Sequence, residues 1–164
     1  MKILVLRLSS IGDVVMTTPV LRCIKRQLQD CELHFVTKSV CGELLEKCPY
    51  IDRLIEYDDS PELTAKLRDE HYDYVVDIHN NHRTRRLRRC IKARTLVYRK
   101  ENPAKFMLVL FKWDIMSGKH VVDRYFDAVK PLGVNNDMQG LELASFKSEK
   151  MDERLMSPYI VIAC

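Results

Sequence analysis

The segment Leu8-Ser9-Ser10-Ile11-Gly12-Asp13 gathers two hydroxyls, a glycine and a carboxylate immediately after the apolar run at residues 3–6. A short continuous apolar run predicts a strand buried on both faces, and the residues after Gly12 predict a helix. In an open α/β sheet the ligand crevice lies beyond the carboxyl ends of the strands, so a loop here presents its side chains to that crevice. Gly12 is read as the residue that lets the backbone turn tightly. The helix start adds free N–H groups and a positive dipole end, which favour an anion. Three chemistries compete for this loop. A dinucleotide-binding turn has thin support, since one glycine stands where G-x-G-x-x-G has three, and no G-K-[ST] follows to make a Walker A loop. In the second reading Ser10 or Asp13 only caps the helix. In the third, Asp13 is a general base whose carboxylate points into the crevice.

A second chemistry-bearing stretch is HRTRRLRRCIKAR at residues 82–94, with seven Arg or Lys and no acid. Within a net charge of +4 this is a concentrated positive patch, and it asks for an anionic partner such as phosphate, nucleic acid, an acidic sugar or a membrane surface. Arg83 and Arg86 are one helical turn apart and share a face. Arg88 and Arg89 lie further along and are expected to contribute little to a site at the helix start. Helical arginines also serve as a solvated face whose aliphatic stems cover apolar surface. The six cysteines form no C-x-x-C pair and no zinc spacing, which predicts reduced thiols packed as small hydrophobes.

The elements that must position these groups alternate along the chain. Apolar runs predict strands at residues 3–6, 33–36, 54–57, 74–78 and 95–98. Helical patterns fall at residues 14–28, 42–48, 60–70, 83–91, 103–113 and 120–130, with Ser60 as N-cap and Pro61 at the first helical position of the third. Such alternation predicts one parallel sheet with helices on both faces, a Rossmann-like α/β fold. Residues 105–113, KFMLVLFKW, read as a core helix, with a membrane-facing or acceptor-lipid-facing helix as the alternative. No apolar run approaches the ~20 residues that cross a bilayer, and the opening MKILVLRLSS lacks the pattern of a signal peptide, so the expected location is the cytoplasm. Residues 143–156 are polar and read as a linker. Residues 159–163 read as a strand that opens a further α/β unit.

The opening ILVLRLSSIGDVVMTTPVLRCIKRQ resembles that of glycosyltransferase family 9, the ADP-heptose:lipopolysaccharide heptosyltransferases. The residues that carry the resemblance are Ser10, Gly12, Asp13, Val14-Val15 and Thr18-Pro19, followed by YDYVVDI at residues 72–78 and HVVDRY at residues 120–125. It implies two Rossmann-like domains facing across a cleft, the GT-B architecture. Residues 1–156 would then be the acceptor-binding domain and residues 157–164 the start of a donor-binding domain, with this stretch inactive by itself. It implies Asp13 as the base that deprotonates the acceptor hydroxyl with inversion at the sugar, and neither a metal nor another cofactor. Ser9, Ser10, Gly12, Asn80, Asn81, Arg83, Arg86 and Arg124 are the expected substrate-binding residues. The expected partners are a nucleotide-sugar donor, held by the further domain, and an anionic lipid-linked sugar acceptor reached at the inner face of the membrane. Where the family carries a Gln-Gly pair after its fourth strand, this chain has His79-Asn80. The rival reading is a non-catalytic module whose basic helix holds nucleic acid or another polyanion. It lacks an RNA-recognition aromatic motif or a helix-turn-helix pattern to support it.

Overall fold

The computed structural model describes residues 1–100 and 118–142. Five parallel strands form one sheet: β1 (Lys2–Leu6), β2 (Glu32–Thr37), β3 (Arg53–Glu56), β4 (Tyr74–Asp77) and β5 (Arg94–Val97), in the order β3-β2-β1-β4-β5. Among them run α1 (Ile11–Val15), α2 (Thr18–Gln27), α3 (Ser39–Gly42), α4 (Pro61–Asp69) and α5 (His82–Cys90), and α6 (Val121–Val129) ends in the 3₁₀ turn Lys130–Leu132. The Rossmann-like α/β reading of the sequence is therefore the observed fold. The strand order reverses direction between β1 and β4, which makes their carboxyl ends the switch point of the sheet. The expected helix at 103–113, the linker at 143–156 and the strand at 159–163 lie outside the described residues. Among the described residues no helix is long and apolar enough to cross a membrane.

Side-chain alternation along the strands sorts the core into two layers. Ile3 and Val5 of β1 pack with Val20, Leu21 and Ile24 of α2 and with Tyr125 and Val129 of α6. Leu4 and Leu6 pack with Leu63 and Leu67 of α4 and Leu87 of α5. The same parity sends two charged residues at the strand ends in opposite directions. Arg7 continues the Ile3–Val5 face and lies over the ring of Tyr125, its guanidinium carbon 5.7 Å from the centroid. Asp77 continues the Val75 face toward α5. It has no exposed surface, and Arg88 donates to its Oδ2 at 2.8 Å. Arg88 is thus the counter-ion of a fully buried carboxylate at a strand end, a structural role that the sequence reading did not assign to it.

Two further expectations are refined. The single helix read over 14–28 is two helices, because Pro19 has no N–H to offer the carbonyl of Val15. The Thr18 hydroxyl donates to that carbonyl at 2.8 Å and the Thr17 hydroxyl donates to Val14 at 2.6 Å, so the chain turns before α2 begins. The helix read over 42–48 instead starts at Ser39 and ends at Gly42. Ser60 caps α4 as expected, its hydroxyl accepting the Leu63 N–H at 3.0 Å.

The segment after α6 is clamped to α2 by Arg22, whose side chain is 1% exposed. Its guanidinium grips Asp137 bidentately at 2.8 and 2.7 Å and also donates to Glu142 at 3.1 Å and the Gly140 carbonyl at 3.0 Å. The hydrogen bonds from Arg22 are the main reason the Asp137 carboxyl sits far below the ordinary carboxylate range. A buried arginine of this kind is tolerable only because every face of its fork is engaged.

Two stability predictions follow from these ion pairs. Arg88→Met keeps the stem but strands Asp77, so unfolding free energy measured in urea at pH 7 should fall by about 3–5 kcal/mol. Asp137→Asn should cost about 1.5–3 kcal/mol at pH 7. Because the folded pKa of Asp137 is depressed, its contribution is complete above the unfolded value of 3.8 and is lost as the pH falls toward the folded one. The gap between wild type and Asp137→Asn should therefore narrow from about pH 4 downward, and a pH-independent gap would assign the effect to packing.

Candidate active site at the sheet switch point

Equal registers bring the ends of β1 and β4 level: Leu6 lies opposite Asp77 on one side and Val36 on the other. The next residues, Arg7 and Ile78, are therefore neighbours, and the Arg7 guanidinium donates to the Ile78 carbonyl at 3.0 Å. The Arg7 side chain is 8% exposed and forms an ion pair with Oδ2 of Asp13, which is 33% exposed at the start of α1. Ser10 donates to the same oxygen twice, from its hydroxyl at 3.0 Å and its backbone N–H at 3.3 Å. All three contacts fall on Oδ2, and among the described residues no hydrogen bond falls on Oδ1. Partial burial opposes charge on Asp13, but Arg7 and the two bonds from Ser10 outweigh it and hold the carboxyl below the ordinary range. The group is an aimed, ionised carboxylate with one oxygen committed and the other open. Its bonds to Ser10 mean that the capping reading is also correct, and that it describes only Oδ2.

The loop after β4 forms the facing wall. Burial, with the like charges of Arg7 and Lys100 beside it, pushes the His79 imidazole down to about 4, so it is neutral at pH 7. Its Nδ1 is buried with no partner among the described residues. Asn80 has a left-handed backbone, φ +46°, at the place where the resembled family has glycine. Asn tolerates that conformation better than most residues do. Its N–H donates to Asp77 Oδ1 at 2.7 Å and its amide to the Tyr98 carbonyl at 2.9 Å, while its Oδ1 is buried and unpartnered among the described residues. Lys100 approaches from the end of β5. Burial and the charge of Arg7 lower its pKa, against the pull of Asp77 and Asp13.

Of the residues expected at the site, Ser9, Ser10, Asp13 and Asn80 meet there. Gly12 lies in the first turn of α1 with open space around the position of a Cβ, so the backbone does not require glycine at that position. Asn81 is committed to the start of α5, its Oδ1 accepting the Thr84 N–H at 2.9 Å. Arg86 pairs with Asp59 on an exposed surface, and Arg83 is exposed on the first turn of α5. Arg124 lies over Tyr98, 5.7 Å from its centroid, and Tyr98 meets Tyr125 edge to face at 5.0 Å. Two tyrosine rings thus connect Arg124 to Arg7. Arg124 also lines, with Arg99, Lys100 and Lys119, a neighbouring basic cleft of about 540 Å³. Sequence reasoning missed Arg7, Lys100 and the two tyrosines. The one available signal was an arginine placed directly after a fully apolar strand.

No family model matches the chain. A lipopolysaccharide heptosyltransferase 1 of Campylobacter coli is 29% identical over 85 residues, covering 48% of this chain and 25% of that protein. Among solved structures, E. coli heptosyltransferase WaaC with ADP aligns over 87% of this chain and 50% of its own, with TM-score 0.68 and 20% identity. A glycosyltransferase family 9 protein of Veillonella parvula aligns over 87% of this chain and 45% of its own, with TM-score 0.66 and 21% identity. The chain spans about half the length of these solved structures. In sequence over one 85-residue stretch and in fold over most of its length, the chain resembles the glycosyltransferase family 9 heptosyltransferases.

Proposed function

We propose that this chain is the acceptor side of an inverting GT-B glycosyltransferase that moves heptose from ADP-heptose to a lipopolysaccharide inner-core acceptor, with Asp13 as general base. The observation that carries this reading is the Asp13 carboxylate itself, ionised, partly exposed and half uncommitted at the switch point of the sheet. The acceptor O–H breaks and its proton passes to Asp13. The oxygen forms a bond to the anomeric carbon from the face opposite the diphosphate, whose C–O bond breaks and which leaves with the electron pair. A sugar hydroxyl is a poor nucleophile, and a positioned base typically contributes ~10²–10⁴-fold. The basic groups on this side of the sheet, Arg7 and Lys100 beside Asp13 and Arg124 beyond the two tyrosine rings, suit an acceptor that carries phosphates or acidic sugars. The related E. coli enzyme is solved with ADP and is about twice as long as the part that aligns here, which supports a donor site on a second domain. On this reading residues 1–156 form the acceptor-binding domain, residues 157–164 open the donor-binding one, and the reaction runs in the cytoplasm at the inner face of the membrane.

The test uses both forms of the protein. The 164-residue chain alone should give no turnover of ADP-heptose. With the donor-binding domain attached, Asp13→Asn should lower kcat by ~10²–10⁴-fold with a small change in KM. Asparagine keeps the shape and can still accept from Ser10, but it cannot take the proton. Activity of Asp13→Asn within a few-fold of wild type would leave Asp13 as a helix cap only.

A further inference from the structure

Three contacts fall on one oxygen of Asp13, and their source is unusual. Two come from Ser10, within the same helix start. The third comes from Arg7, which belongs to a different element and is itself fixed on two sides, by the Ile78 carbonyl and the Tyr125 ring. Arg7 therefore cannot follow Asp13 if the loop moves; Asp13 must come to Arg7. Every other titratable group facing this carboxylate lies on another strand end or on α6. His79 follows β4, Lys100 follows β5 and Tyr125 is on α6. Of these, His79 is neutral at pH 7 and Tyr125 is a phenol whose pKa burial pushes up to about 12. Lys100 is the other cation, but among the described residues no ion pair joins it to Asp13, which leaves Arg7 as the charge in contact with the carboxylate.

We propose that Arg7 is the positioning residue of the site: by holding Oδ2 of Asp13 it turns Oδ1 toward the crevice as the oxygen that receives the acceptor's proton. The assignment of the proton to Asp13 rests on the function proposed above; the anchoring by Arg7 does not. The arrangement gives up some basicity, since a guanidinium at Oδ2 stabilises the ionised form, and gains a carboxylate held in one orientation. Arg7 acts through Asp13 and has no need to touch substrate.

The experiment is an NMR pH titration of the Asp13 carboxyl carbon in the 164-residue chain, as wild type, Arg7→Gln and Arg7→Lys. The wild-type midpoint should lie below the ordinary value of 3.8. In Arg7→Gln it should rise by about one unit, a tenfold change in proton affinity, and in Arg7→Lys it should fall between the two, because lysine restores charge without the planar fork. An Asp13 midpoint at or above 3.8 in the wild type overturns the proposal without any variant, so the test survives if Arg7→Gln fails to fold. An unmoved midpoint in a folded Arg7→Gln overturns it as well. In the two-domain enzyme the acid limb of the kcat/KM profile should shift upward in Arg7→Gln in step with the carboxyl. If Asp13→Asn remains active while the titrations behave as expected, the base assignment fails and the anchoring stands.

Discussion

A guanidinium buried at the end of a central strand must be surrounded by acceptors, because the desolvation of an unpaired charge would cost more than a domain's net stability allows. Arg7 meets that demand with a carbonyl from the neighbouring strand, an aromatic face from α6 and a carboxylate from the loop that follows its own strand. Each partner comes from a different part of the chain. The ion pair therefore fixes the position of the α1 start relative to β4 and α6, and the geometry of the whole switch point depends on it.

The same logic operates twice more, away from the crevice. Arg88 neutralises Asp77 beneath the loop after β4, and Asp77 in turn holds the Asn80 N–H and thereby the left-handed turn that delivers His79 and Asn80. Arg22 ties the segment after α6 to α2 through Asp137 and Glu142. Each of these arginines is mostly or fully buried and each serves a carboxylate on another element. Arginine suits this work because its planar fork can engage several acceptors in fixed directions at once. The polar wall around the crevice is held by the Arg7 and Arg88 pairs, and the two apolar layers hold the sheet beneath it.

The site that results contains more cation than anion. Burial and the charge of Arg7 lower the pKa of Lys100, and burial together with both cations keeps the His79 imidazole neutral. Three buried polar atoms near the switch point, Arg7 Nε, His79 Nδ1 and Asn80 Oδ1, have no partner among the described residues. Unsatisfied groups of this kind are uncommon in folded proteins and concentrate where a ligand or ordered water completes the set. Their presence around Asp13 sets this end of the sheet apart from the opposite one, where His34 is satisfied on both ring nitrogens by Tyr72 and Glu32.

By itself the sequence determined the parallel sheet, because five short apolar runs alternating with helical patterns leave few other ways to bury both faces. It also determined the loop that carries Asp13, since the position after the first strand of such a sheet opens on the crevice whatever the side chains are. The cap at Ser60 was legible for a local reason, a hydroxyl acceptor at the helix start, whereas the break that Pro19 makes in the helix read over 14–28 was not read. The partners of the charged residues were not legible. Arg7 and Asp13 are close in sequence, but Arg7 with Ile78, Arg88 with Asp77 and Arg22 with Asp137 are joined only by the strand registers and helix packing. On a helical pattern Arg83, Arg86 and Arg88 look alike. The tertiary structure distinguished them, because a solvated arginine and one that answers a buried carboxylate differ in what the rest of the fold has brought beside them.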